Sequence, residues 1–136
     1  MRQREHRTTS PNWPTCRRLL ASLLFLSLFS VGAFAQKKAA ARVQYEKAEK
    51  QRTALEVRPQ KERTVKEYAQ LVSAYRRVYH LSPQAGEVTT SLQAVGELYQ
   101  EMGRLFDEKY FQSAVDAYQF LLHEYPTSRF RDDALF

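Results

Sequence analysis

The chain has 136 residues, enough for one small domain at most, and it is rich in Tyr and Phe (eight of each) with four Gly and a single Cys. Its formal charge is +6, of which +4 falls in residues 1–35 (Arg2, Arg4, Arg7, Arg17 and Arg18 against Glu5) and +2 in the other 101 residues. The basic balance belongs to the N-terminus, so it does not argue for a nucleic-acid partner of the rest.

Residues 1–35 read as a leader. A basic stretch ends at Arg17-Arg18, and an uncharged run follows from Leu19 to Ala35, "LLASLLFLSLFSVGAFA". It closes on Ala33-Phe34-Ala35, the small-x-small pattern of a signal-peptidase site, which makes Ala35 and Gln36 the cleavage pair. The alternative is an uncleaved anchor, but 17 residues are short of the roughly 20 a spanning helix needs. Membrane contact is therefore expected only through the leader, and only if it is retained. Cys16 precedes the apolar run rather than following it, so it is no lipoprotein site. The expected export route is Sec-type, with the periplasm as destination. No Cys remains after residue 35, which excludes disulfides and thiolate metal sites there.

Residues 36–63 read as an N-terminal helix and a linker. In 37–57, "KKAAARVQYEKAEKQRTALEV", Tyr45, Ala48 and Leu55 fall on one face at spacings of three and seven. "RPQKER", with Pro59, breaks this helix. Thr64-Val65-Lys66-Glu67 has capping-box spacing and opens a second helix. That helix carries Tyr68, Leu71, Val72, Tyr75, Val78 and Tyr79 and ends before Ser82-Pro83. A third helix is predicted from about Glu87 to Gly103, with Leu92, Val95, Leu98, Tyr99 and Met102 inward. After "RLFDEK", a fourth runs from about Tyr110 to Tyr125 and presents Phe111, Ala114, Val115, Tyr118, Leu121 and Leu122, with Pro126 as its stop. No segment alternates with period two, so the predicted class is all-α.

Residues 66–86 laid over 109–129 match with a shift of 43: Lys66 on Lys109, Val72 on Val115, Ala74 on Ala117, Tyr75 on Tyr118, His80 on His123 and Pro83 on Pro126. Tyr68 falls on Phe111 and Leu71 on Ala114. The third and fourth helices form one unit, about 89–128, in which Leu92, Val95, Gly96, Tyr99, Gly103, Phe111, Ala114, Tyr118, Leu121 and Pro126 follow a recurring spacing. In this spacing residues 64–136 resemble the tetratricopeptide repeat family, whose standard unit is about 34 residues. Here Arg104–Lys109 are inserted between the two helices, and three residues are added after Pro126.

The resemblance implies an α-solenoid of antiparallel helix-turn-helix units, preceded by a signal-peptide helix. Tyr68, Tyr75, Leu92, Gly96, Tyr99, Gly103, Phe111, Ala114, Tyr118 and Pro126 are its expected packing residues. Gly96 and Ala114 would be small because the helices cross closely there. "YPTSRFRDDALF" is similar to the variant of this repeat found in envelope proteins. The order of leader, Lys/Ala-rich helix and repeats is also similar to the N-terminal region of exported N-acetylmuramoyl-L-alanine amidases. That second resemblance implies a peptidoglycan-binding domain and a zinc amidase domain beyond residue 136. Leu135 stands where Leu92 stands, which leads to the expectation of at least one further repeat after Phe136.

Catalytic chemistry is not expected within these residues. His80 and His123 are repeat-related, which favours a role at helix C-termini over metal binding. Asp107-Glu108 and Asp132-Asp133 are sequence neighbours that point apart, and Ser73, Ser91 and Ser113 lack a nearby base. There is no Gly-rich phosphate loop. No catalytic, cofactor or metal residue is assigned. The expected partner is a protein or peptide in the bacterial envelope, with Gln93, Glu97, Gln100 and Glu101 as candidate groove contacts. The expected function is a non-catalytic exported scaffold; the alternative is the targeting or regulatory part of a zinc-dependent cell-wall amidase. A third reading is a module that associates with itself.

Overall fold

A computed structural model describes the backbone of residues 14–130 and the side chains of residues 32–130. The expectations on Asp132, Asp133, Leu135 and Phe136 lie outside the described residues, as do the side chains of most of the leader. The described residues are helical: α1 (Pro14–Glu56), a short 3₁₀ turn (Gln60–Glu62), α2 (Val65–Leu81), α3 (Val88–Leu105) and α4 (Lys109–Glu124), with no strand among them. The chain divides into two compact units, Met1–Phe34 and Ala35–Phe136. Within the first, the backbone is helical from Pro14 onward. No helix among the described residues is long and apolar enough to cross a membrane.

In the second unit α1 contributes a narrow stripe. Ala41, Ala48 and Leu55, seven apart, are buried, and Gln44, Tyr45 and Arg52 beside them are half-buried. Seven residues are close to two helical turns, so one line of small side chains faces inward and the rest of the helix stays solvated. Gln44 Nε2 donates to the Ala74 carbonyl at 2.9 Å, and Tyr75 Oη donates to Glu49 Oε1 at 2.6 Å. Tyr45 lies beside Tyr75, with ring centroids 6.2 Å apart, and Arg58, just past the end of α1, donates Nη2 to Glu67 Oε1 at 2.7 Å near the start of α2, so α1 and α2 are antiparallel.

The capping box at α2 is present. Thr64 Oγ1 accepts from the Glu67 amide, and Glu67 Oε2 accepts from the Thr64 amide at 2.9 Å. Helix α2 ends at Leu81 because Ser82 precedes Pro83, which forces it into extended backbone (φ −158°). Its buried residues are Tyr68, Leu71, Val72, Tyr75 and Val78.

Helix α3 is the centre of the unit. It buries Val88, Ser91, Leu92, Ala94, Val95, Gly96, Leu98, Met102 and Gly103, which cover two sides rather than one. Ala94, Val95, Leu98 and Met102 join Tyr68, Val72 and Tyr75 of α2 in one cluster with Ala48 and Leu55 of α1. Gly96 and Gly103 serve the other side. A Cβ on Gly96 would lie 2.3 Å from a ring atom of Tyr118, and one on Gly103 would lie 2.7 Å from the Phe111 ring. Both glycines let α4 approach closely. Ser91, buried here, is satisfied by donating Oγ to the Glu87 carbonyl at 2.8 Å.

Helix α4 begins where Asp107 Oδ1 accepts from the Lys109 amide at 3.0 Å, in the place Thr64 holds 43 residues earlier. It buries Ala114, Ala117, Tyr118 and Leu121. Val115, read from sequence as inward, is 45% exposed, and Leu122 is half-buried. The cause is that α4 packs against α3 on one side, whereas α2 is covered by α1 and α3 together. Tyr125 Oη donates to the Pro83 carbonyl and ties the end of α4 to the end of α2.

Candidate interaction surface

The expected groove residues lie on α3 and are largely engaged within the chain. Arg52 Nη1 donates to Glu97 Oε2 at 3.0 Å. Glu101 Oε1 accepts from Tyr68 Oη at 2.6 Å and from Arg63 Nη1 at 3.1 Å. Gln93 Nε2 reaches Glu97 Oε1 at 3.5 Å, and the buried Oε1 of Gln93 has no partner among the described residues. Gln100 is half-buried. The α1 half that follows Ala35, with the linker, thus supplies cations to this acidic row, whose side chains stay partly exposed.

Sequence spacing did not show Arg63. Its Nε and Nη2 donate to the Arg58 and Glu56 carbonyls, and its Nη1 meets Tyr68 and Glu101. The guanidinium binds the end of α1 to the starts of α2 and the end of α3. Hydrogen bonding to Tyr68 is the main cause that holds Arg63 charged. Burial pushes the Tyr75 hydroxyl pKa up, and its bond to Glu49 adds to the shift. Burial works against the Arg52 charge, but hydrogen bonds to Glu56 and Glu97 outweigh it and leave its pKa raised.

Of the expected packing residues, Tyr68, Tyr75, Leu92, Gly96, Gly103, Ala114 and Tyr118 are buried. Tyr99 is half-buried, stacked on Tyr110 at 6.4 Å with the Arg76 guanidinium over its ring. Phe111 is 40% exposed and Pro126 is exposed. Ala35 and Gln36 are exposed and helical.

His80 and His123 are exposed and stand in the last turns of α2 and α4. His123 Nδ1 lies 3.0 Å from Glu124 Oε1. Among the described residues no group of three or more His, Cys, Asp or Glu side chains comes together as a metal site.

Among the open surfaces of the described residues, two lie along α4. One is a cleft of about 390 Å³ between α2 and α4, floored by Leu92 and Val95 and rimmed by Arg76, Tyr79, His80, Asp116 and Phe120. Tyr79 and Phe120 meet edge-on across it at 5.3 Å. The other is the side of α4 that carries Phe111, Val115 and Leu122, which fall on one stripe at helical spacing. Their counterparts on α2 are Tyr68, Val72 and Tyr79. Tyr68 is 0% exposed and Val72 is 3%, against 40% and 45% on α4.

No protein-family model, curated protein or solved structure matches the chain.

Proposed function

We propose that the protein is a non-catalytic, exported helical-repeat scaffold of the tetratricopeptide type that binds protein in the bacterial envelope. One observation carries the reading. A face that α2 buries is repeated on α4, with the same spacing and apolar character, and is open there. Contiguous apolar surface on a helix is characteristic of a protein-binding site. The leader pattern of residues 1–35 supports export, and the boundary between the two compact units, at Phe34 and Ala35, falls beside the proposed cleavage pair.

The test is photo-crosslinking in the cells that make the protein, with benzoylphenylalanine at Val115 or at Lys47 on the solvated side of α1. The expected result is a discrete adduct from position 115 in the periplasmic fraction, on a chain that begins at Gln36. A chain that stays in the cytoplasm with its leader, or equal diffuse labelling from both positions, would refute the proposal.

A further inference from the structure

The cleft between α2 and α4 carries chemistry that the scaffold reading does not use. Tyr79 and Phe120 meet across it, and further along both helices Tyr125 Oη donates to the Pro83 carbonyl. These two contacts run in the same chain direction, so α2 and α4 lie parallel along the cleft. One turn back from the Tyr79–Phe120 contact stand Arg76 on α2 and Asp116 on α4. They flank the cleft at one level, above the floor of Leu92, Val95 and Ala117.

The two charges are opposite and do not pair. The Arg76 guanidinium carbon lies 5.8 Å from the centroid of the Tyr99 ring, and Asp116 Oδ1 accepts from Gln112 Nε2 at 2.9 Å. Among the described residues neither has an ion-pair partner. A cation and an anion held apart over an apolar floor match a ligand that carries both charges and an apolar group. The rings of Tyr79 and Phe120, 5.3 Å apart, leave no passage between them for an extended chain, which favours a ligand of limited length over a peptide strand.

We propose that this cleft binds a free α-amino acid with a large apolar side chain. The Arg76 guanidinium takes the carboxylate, whose two oxygens suit its planar fork. The Asp116 carboxylate takes the ammonium group, and the side chain lies on Leu92, Val95 and Ala117. The volume of about 390 Å³ falls within the range of about 300–1,000 Å³ common to small-molecule sites, which pair an apolar lining with a few polar groups. The site shares no residue with the Phe111, Val115 and Leu122 stripe, and it depends neither on export nor on a protein partner.

The test is an NMR titration of the isotope-labelled, purified full chain with L-phenylalanine, read at the amides of α2 and α4 that line the cleft. Saturable shifts are expected, with L-leucine as a competitor. L-alanine should bind at least about tenfold more weakly, since it leaves the floor uncovered. N-acetyl-L-phenylalanine and L-phenylalaninamide each lack one charge and should each bind about tenfold more weakly than phenylalanine. Arg76→Gln should weaken phenylalanine by a similar factor and leave phenylalaninamide little changed, whereas Asp116→Asn should weaken phenylalanine and leave the N-acetyl derivative little changed. Arg76 and Asp116 are exposed, so both variants keep the fold, which an unchanged melting curve checks. Three outcomes overturn the proposal. One is the absence of saturable shifts, as when residues 131–136 already fill the cleft. Another is binding that neither variant alters. The third is tighter binding of a capped Asp-Leu-Lys peptide than of phenylalanine, which assigns the cleft to a segment of a protein.

Discussion

The ring of Tyr118 lies where a side chain on Gly96 would begin: a Cβ there would sit 2.3 Å from Cε1 and 2.5 Å from Cζ. Seven residues later Gly103 stands in a similar relation to Phe111, at 2.7 Å. The two contacts differ in what the ring can do. Tyr118 is 9% exposed among the buried Ala114, Ala117 and Leu121, whereas Phe111 is 40% exposed, so a shift of its ring meets solvent on one side. Alanine in a helix gains about 1 kcal/mol over glycine, and overpacking a core costs about 1–3 kcal/mol. Gly96→Ala is expected to destabilise by about 1–2 kcal/mol, because the clash outweighs the propensity gain. Gly103→Ala is expected to be neutral or to stabilise by up to about 1 kcal/mol. Urea denaturation of both variants checks the opposite signs, and Tyr118→Leu should relieve the first.

Val72 and Val115 are the same residue in two repeats and should respond differently. Val72→Ala removes buried methyl groups and is expected to cost about 1–2 kcal/mol. Val115→Ala should fall within about 0.5 kcal/mol of the parent. Equal costs in urea denaturation would mean that α4 is covered in the isolated chain.

Thr64→Ala should cost about 1 kcal/mol, as loss of a helix cap does. Glu67 belongs to the same box. Hydrogen bonds from Thr64, then from Arg58, hold its pKa below the ordinary 4.5. A lowered folded pKa means stability present above pH 4.5 and lost as the pH falls below it, where the unfolded chain takes up the proton first. Glu67→Gln should therefore make the acid limb of stability against pH shallower, which denaturation midpoints between neutral and acid pH will show.

Tyr75 has the reverse dependence. Burial and the bond to Glu49 raise its pKa above the ordinary 10.0. The stability tied to the protonated phenol is present below pH 10.0 and is lost as the pH rises through the folded value. In an alkaline titration followed by phenolate absorbance, Tyr75→Phe should remove a component that appears only together with unfolding. A component that titrates reversibly near pH 10.0 in the folded chain would contradict the Tyr75–Glu49 geometry.

What was legible in the sequence was what is local. The Thr64–Glu67 box spans three residues, and the break at Ser82 follows from Pro83 alone, so both could be read directly. The inward residues of α2 followed from one period because its neighbours cover a single broad side. Helix α3 did not yield in the same way. It lies between α2 and α4, so Ala94 and Gly96 are buried although they fall on either side of the stripe of Leu92, Val95 and Leu98, and Ser91 is buried within that stripe although it is polar. Val115 failed for the opposite reason, since its position is apolar by repeat register but the described residues leave it 45% exposed. The Arg63 clamp and the Arg52–Glu97 pair join residues 38 and 45 positions apart, which no spacing rule reaches. They also give Glu97 and Glu101, polar and outward on a helical wheel, partners within the chain.

The most direct test of the account is thiol protection at position 115. Cys16 would be replaced by Ser, and a single Cys placed at Val115 or, as a control, at Lys47. Maleimide labelling would be timed on the purified chain and in the cells that make it. The account expects Cys at 115 to label as fast as the control in the purified chain and much more slowly in cells, where a partner covers α4. Equal labelling at 115 in both settings would show that no protein occupies that face, and would contradict the account.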